Sequence, residues 1–180
     1  LTSVGFKWLC GPYGTGFCWI RPEILKTITY NKAYWLSMMT ADDLGNNMDE
    51  IDFPEDQFTG KYDIFGTANF FNYKPWNASV EYLLKIGIDN VEIYNKRSVQ
   101  FLIENIDRSN YNIVSPTDKE SQSTLVFFSH RNPINNKDIY TKLKSKKIHI
   151  AFRNANLRFS PHIHNTIQEL EIALEILHAF

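Results

Sequence analysis

Cysteine is scarce in this sequence, and long apolar runs are lacking. The chain has two cysteines, Cys10 and Cys18, among 180 residues. Two cysteines are too few for a disulfide framework and lack the spacing of zinc ligands, so we expect a reducing, cytoplasmic setting. No apolar run approaches the roughly 20 residues that cross a bilayer, and no secretory signal peptide is recognisable. These absences argue against a membrane-spanning protein or a small disulfide-stapled one.

An excess of charge of one sign is also lacking. The chain carries 19 basic and 20 acidic residues, for a net charge of −1. This balance gives no electrostatic footprint for nucleic acid or an anionic membrane surface. Apolar residues make up 43% of the chain, which is typical of a globular protein with a buried core. Because the chain begins with Leu1 and enters a patterned motif at once, we expect it to start within a domain.

The second half of the sequence has the pattern of a small α+β unit. Asn77 is predicted to cap a helix that stops near Gly87, and a second helix restarts at Asp89 or Asn90. A buried strand is predicted at 125–128, where the residues are consecutively apolar. Two further strands are predicted at 148–153 and around Leu157 and Phe159, where apolar and polar residues alternate. A capping box of Thr166 and Glu169 predicts a last helix with its apolar side chains inward. Those side chains are Leu170, Ala173, Leu174 and Leu177.

The first half is less regular. Residues 17–20 are predicted to form a short strand, and Pro22 to open a short helix. Residues 30–65 show no sustained period and are interpreted as a long loop, which in a compact domain is usually functional or contacts a partner chain.

Lys7 is the first candidate for chemistry, because it lies between Phe6 and Trp8 just before a loop containing Gly11, Gly14 and Gly16. Burial disfavours an ammonium group and makes a lysine nucleophilic toward carbonyls. The alternative is a surface lysine whose stem covers an aromatic ring.

Other candidates are weaker when taken singly. Gly66 and Thr67 offer a backbone amide and a hydroxyl to a phosphate, although a simple turn is the default interpretation. Arg158 lies in a predicted strand, on the face opposite its apolar neighbours, where a guanidinium can bind a carboxylate through two hydrogen bonds. The alternative for Arg158 is a structural ion pair. His162 and His164 lack further ligands at suitable spacing, so no metal site is predicted.

Together these pieces resemble the class V aminotransferase family of pyridoxal-phosphate enzymes, which includes cysteine desulfurases, selenocysteine lyases and isopenicillin N epimerase-like proteins. The resemblance rests on three blocks in a matching order. They are Lys7-Trp8-Leu9-Cys10-Gly11-Pro12-Tyr13-Gly14-Thr15-Gly16, then Gly66-Thr67-Ala68-Asn69, then Leu157-Arg158-Phe159-Ser160-Pro161-His162 running into Asn165-Thr166.

The resemblance implies a fold-type-I α/β architecture. Residues 1–88 would be the end of the large cofactor domain, truncated at its start, and residues 89–180 the small carboxy-terminal α+β domain. Lys7 would form the aldimine with pyridoxal 5′-phosphate and then act as acid or base at the alpha carbon of an amino-acid substrate. Gly66 and Thr67 would contact the cofactor, with Thr67 reaching the phosphate of the partner subunit in a homodimer. Arg158 would hold the substrate carboxylate.

Two departures from the family pattern narrow these expectations. Phe6 stands where the family commonly has His. Cysteine desulfurases carry a nucleophilic cysteine in the small domain, whereas no cysteine follows Cys18. We therefore expect an aminotransferase, an epimerase or a lyase that uses only the lysine, with Cys10 and Cys18 as core thiols. Because the family's other cofactor contacts lie upstream of the lysine, we expect the 180 residues alone to be inactive.

A second hypothesis belongs to a different class. The chain could be an interaction module that keeps the small-domain fold without catalysis and docks through the long aromatic loop. The two hypotheses differ in Lys7, for which a module without catalysis has no use.

Overall fold

A computed structural model describes residues 1–28, 59 and 69–180. The chain divides into two compact units, Leu1–Tyr82 and Leu83–Phe180. The predicted loop at 30–65 lies outside the described residues except for Thr59, and Gly66 and Thr67 lie outside them as well. Among the described helices, none has both the length and the apolar character that a membrane span requires.

The first unit contains a two-stranded antiparallel ribbon and a short helix. Strand β1, Thr2–Val4, pairs with strand β2, Gly16–Cys18, so that Val4 lies opposite Gly16. A side chain at Gly16 would place its Cβ 2.7 Å from the carbonyl oxygen of Ser3, so the ribbon requires glycine there. Helix α1, Pro22–Thr27, begins at Pro22 as predicted, because a first-turn N–H has no helical partner to lose. The strand predicted at 17–20 is observed as β2, which begins one residue earlier and ends at Cys18.

Helix α2, Phe70–Ile86, begins well before the predicted cap at Asn77, so that prediction was wrong. The side-chain oxygen of Asn69 accepts the backbone N–H of Asn72 at 3.3 Å and caps the helix. Asn77 lies inside the helix, where its amide donates to Glu81 at 2.7 Å. Pro75 is also inside the helix, although it removes one helical hydrogen bond. The helix ends before Gly87, at the predicted stop, where φ is +91°.

The second unit packs helices against a sheet. Its elements are helix α3, Ile88–Asn105; strands β3, Tyr111–Ile113, and β4, Val126–His130; helix α4, Asn135–Ser145; strands β5, Ala151–Arg153, and β6, Asn156–Phe159; and helix α5, Ile167–Leu177. The sheet is antiparallel throughout, in the order β3-β4-β6-β5. The predicted α+β arrangement of helices over a short sheet is therefore what the second unit shows.

The core of this unit is formed between one face of the sheet and the three helices. Val126, Phe128, Leu157 and Phe159 face the helices, and Phe128 stacks on Phe159 at 5.0 Å between ring centroids. The capping box of Thr166 and Glu169 is confirmed, and so are the four inward positions of α5. Strand β3 was not predicted, and the strand expected at 148–153 is shorter, covering only Ala151–Arg153.

Two polar side chains are satisfied inside this core. The hydroxyl of Tyr111 donates to the carbonyl of Leu177 at 2.8 Å, and burial raises the pKa of Tyr111 to about 12, with a smaller contribution from the charge of Asp107. Asn136 is fully buried in the first turn of α4. Its side-chain oxygen accepts the N–H of His130 at 2.9 Å, and its amide donates to Ser129 and to the carbonyl of Ala155. Asn136 thus connects α4 to β4 and to the turn between β5 and β6.

We expect Asn136→Ala to lower the free energy of unfolding by about 2 kcal/mol or more, because it leaves the buried N–H of His130 without a partner and removes the hydrogen bonds to Ser129 and Ala155. Denaturant titration measures this loss. Asn112→Ala, at an exposed position of β3, is the matched control and should change the free energy by less than about 0.5 kcal/mol. Equal effects of the two substitutions would contradict the role given to Asn136.

Candidate active site

Lys7 lies on a tight turn that the backbone closes on itself. The N–H of Gly11 donates to the carbonyl of Gly5 at 2.8 Å, and the N–H of Cys10 donates to the carbonyl of Lys7 at 3.0 Å. The N–H of Gly5 donates to the carbonyl of Thr15 at 2.8 Å, which fixes the turn to the start of β2. Cys10 has a φ of +53°, in the left-handed region that few non-glycine residues adopt. The lysine is therefore held on a constrained backbone.

The Lys7 side chain is exposed, in contrast to the burial that its aromatic neighbours suggested. Its Nζ lies 5.8 Å from the centroid of the Phe6 ring, and Phe6 stacks on Tyr13 at 4.5 Å between centroids. Within the described residues, no hydrogen bond or ion pair engages this amine. This is the local geometry of the alternative considered from the sequence, a surface lysine beside an aromatic ring. The constrained backbone nevertheless leaves the amine accessible for covalent attachment.

Arg158 lies in β6, an interior strand of the sheet, on the face opposite the core. Its cross-strand neighbours are Phe127 of β4 and Ala151 of β5. The guanidinium carbon lies 5.6 Å from the centroid of the Phe127 ring. Nε of Arg158 is buried without a hydrogen-bond partner, and among the described residues no carboxylate pairs with the side chain. The structural ion pair considered from the sequence is thus not seen in the described part of the chain.

The predicted site residues are distributed over the chain. Lys7 belongs to the first compact unit and Arg158 to the second. Cys10 and Cys18 are free and exposed, so the expectation that they are core thiols was wrong. The physical reason is that both belong to the surface ribbon and its turn, where apolar neighbours in sequence do not provide burial. Within the described residues, no group of His, Cys, Asp or Glu side chains could hold a metal ion.

Helix α2 adds side chains that the sequence did not single out. The amide of Asn72 donates to the carbonyl of Tyr13 at 2.9 Å, and the hydroxyl of Ser79 donates to the carbonyl of Cys10 at 3.0 Å. Trp76 lies between them along the helix. Their spacing of four and then three residues defines one helical face, which a search for helical periodicity could have found if it had begun at Asn69.

Comparison with known proteins gives a family match over nearly the whole chain. The sequence model of the family described as aminotransferase class-V matches residues 1–171. The chain is also 24% identical over 190 residues to a probable cysteine desulfurase of Pyrococcus abyssi. This alignment covers 98% of the chain and 45% of the relative, so the chain spans less than half the length of that relative.

Solved structures of similar fold include two of the protein C-DES and one of a cysteine desulfurase. One is the complex of the cystine C-S lyase C-DES with its reaction product cysteine persulfide, with a TM-score of 0.80, 19% identity and coverage of 98% of this chain and 45% of the other. Another is an apo cysteine desulfurase from Thermococcus onnurineus NA1, with a TM-score of 0.77, 18% identity and coverage of 99% and 46%. A C-DES mutant with glycine covalently linked to its PLP cofactor has a TM-score of 0.71, 19% identity and coverage of 97% and 44%. At these identities the likeness shows the fold.

The exposure of both cysteines leads to a chemical prediction. We expect Cys10 and Cys18 to react with a soluble thiol reagent without denaturant, because accessible thiols react and buried ones do not. Mass spectrometry of this chain should show both residues modified, and Cys10→Ser and Cys18→Ser should each remove one modification. If labelling required denaturant, the exposed placement of these thiols would be wrong.

Proposed function

The chain belongs to the class V aminotransferase family, and we propose that it is the carboxy-terminal portion of a pyridoxal-phosphate enzyme acting at the alpha carbon of an amino acid. The observation that carries the proposal is the exposed Lys7 amine on its closed turn, within the region that the family model matches. Pyridoxal phosphate, when bound, supplies the electron sink for chemistry at that carbon.

The described residues around Lys7 fit such a cofactor. The amine is accessible and makes no described hydrogen bond or ion pair, so it is free for covalent attachment to the cofactor aldehyde carbon. Its backbone is fixed by short hydrogen bonds on both sides of the turn. With substrate bound, Nζ of Lys7 would take a proton from the substrate alpha carbon or return one. This second role needs the same fixed position.

Arg158 is proposed to bind the substrate carboxylate. It projects from the sheet face opposite the core, and Phe127 covers one side of its guanidinium. The buried Nε without a partner is a donor whose desolvation a bound carboxylate would offset. A planar guanidinium can give two parallel hydrogen bonds to a carboxylate, which fixes the orientation of the amino acid.

Gly66 and Thr67 are proposed as cofactor contacts on the basis of the sequence alone. The family motif at these positions would supply a backbone amide and a hydroxyl to the cofactor phosphate. Thr67 would serve the phosphate of the partner subunit in a homodimer. With this arrangement, a complete cofactor site requires residues of two chains.

The names of the relatives favour cleavage of a carbon–sulfur bond over amino-group transfer. Elimination from cystine would remove the alpha proton and break the Cβ–S bond, so that cysteine persulfide leaves, and water would hydrolyse the remaining enamine to pyruvate and ammonia. Lys7 would carry the proton steps, and residues 19–180 contain no cysteine that could hold a persulfide. Assays of pyruvate release from cystine and of amino-group transfer to a keto acid distinguish the two reactions.

We expect Lys7→Ala in the complete protein to abolish covalent cofactor attachment and to lower kcat by several orders of magnitude, because the amine and the proton carrier are both lost. Absorbance of the bound cofactor and steady-state rates measure the effect. Lys26→Ala, at an exposed lysine of α1, is the control and should leave both unchanged. An active Lys7→Ala protein would remove Lys7 from the proposed catalytic role.

We expect Arg158→Lys to raise KM for the amino-acid substrate roughly 10-fold or more, equivalent to about 1.4 kcal/mol, because an ammonium cannot make the paired hydrogen bonds. Arg153→Lys, at an exposed arginine of the neighbouring strand β5, should leave KM unchanged. A KM that is the same in both variants would remove Arg158 from the substrate site.

A further inference from the structure

One face of helix α2 holds the turn that carries Lys7. Asn72, Trp76 and Ser79 follow one another along this face, and each contacts the lysine turn or the glycine loop after it. Asn72 donates to the carbonyl of Tyr13 at 2.9 Å. Ser79 donates to the carbonyl of Cys10 at 3.0 Å and also to its own helix, at the carbonyl of Pro75. The two outer residues therefore fix backbone carbonyls on the loop.

Trp76 occupies the space left by the glycines on either side of the lysine. A Cβ added at Gly5 would lie 2.8 Å from Cε2 and 2.9 Å from Nε1 of the indole. A Cβ added at Gly11 would lie 2.5 Å from Cδ1 of the same ring. Real Cβ atoms do not approach so closely, so the indole and the two glycines are matched in shape. The same two glycines close the turn through the bond from the N–H of Gly11 to the carbonyl of Gly5.

These contacts bear on Lys7 through the backbone alone. Lys7 lies between Gly5 and Gly11, and its carbonyl accepts the N–H of Cys10, whose own carbonyl accepts from Ser79. The indole Nε1 has no hydrogen-bond partner among the described residues, so Trp76 contributes shape and not a polar bond. None of the three α2 side chains has a described contact with the lysine amine.

We propose that Trp76, supported by Asn72 and Ser79, is a positioning residue that fixes Lys7 for attack on the cofactor aldehyde and for proton transfer at the substrate. This inference rests on the proposed function. A displacement of about 1 Å at a reacting group can cost on the order of 100-fold in rate. Contacts of the α2 side chains with the backbone of the lysine turn can therefore change the rate without touching the amine; we call these contacts the brace.

The test compares Trp76→Ala in the complete protein with the same substitution in a Lys7→Ala background. In the protein that retains Lys7, the rate of covalent attachment of pyridoxal phosphate is followed by absorbance, and borohydride reduction with peptide mapping identifies the modified lysine. In the Lys7→Ala background, the dissociation constant of noncovalently bound pyridoxal phosphate is measured. Asn77→Ala, on the exposed side of the same helix, is the matched control.

We expect Trp76→Ala to slow attachment at Lys7 about tenfold or more. The noncovalent dissociation constant in the Lys7→Ala background should stay within about twofold, because the brace acts through the lysine. Ser79→Ala and Trp76→Phe should slow attachment less, and they provide the same comparison if Trp76→Ala fails to fold.

An unchanged attachment rate would overturn the inference. So would a loss of noncovalent affinity in the Lys7→Ala background as large as the loss of attachment rate, because it would indicate packing of the whole site. If the unsubstituted protein attached no cofactor at Lys7, the proposed function itself would fall, and the inference with it. Peptide mapping of the unsubstituted protein distinguishes that case from failure of the brace alone.

Discussion

The close approach between the Trp76 indole and the backbone at Gly5 and Gly11 is the constraint on which the lysine turn depends. Any side chain at either glycine would collide with the indole, and removal of the indole would leave the turn held by hydrogen bonds alone, its own and those from Asn72 and Ser79. The turn contains a left-handed residue at Cys10, so it carries backbone strain that packing must offset. Lys7 can be exposed and still precisely placed because the constraint acts on its backbone.

In the second unit, strand pairing fixes the backbone position of the candidate site residue Arg158. Arg158 is placed by the sheet, since β6 is paired on both sides and the register sets Arg158 beside Phe127 and Ala151. The helices bury the opposite face, so the guanidinium projects from a surface that the core does not occupy. Hydrogen bonds between strands fix the backbone position of Arg158, as contacts with helix α2 fix the backbone of the Lys7 turn.

The features predictable from sequence were those set by neighbouring residues. The Thr166–Glu169 capping box, the stop at Gly87 and the alternation around Leu157 and Phe159 depend on local hydrogen bonds and periodicity. The start of α2 was missed because Asn77 has the local signature of a cap, whereas the helix begins earlier and contacts a loop 59 to 69 residues away in the sequence. The cysteines were misjudged for a related reason: apolar neighbours in sequence do not determine which face of a two-stranded ribbon is covered.

The position of Asn69 as the cap of α2 relates the proposed phosphate motif to the lysine turn. Asn69 closely follows Gly66 and Thr67, so the helix that braces Lys7 begins directly after the proposed phosphate motif. Under the proposed function, a substitution in α2 would therefore be expected to affect both the phosphate motif that precedes the helix and the Lys7 turn that the helix contacts.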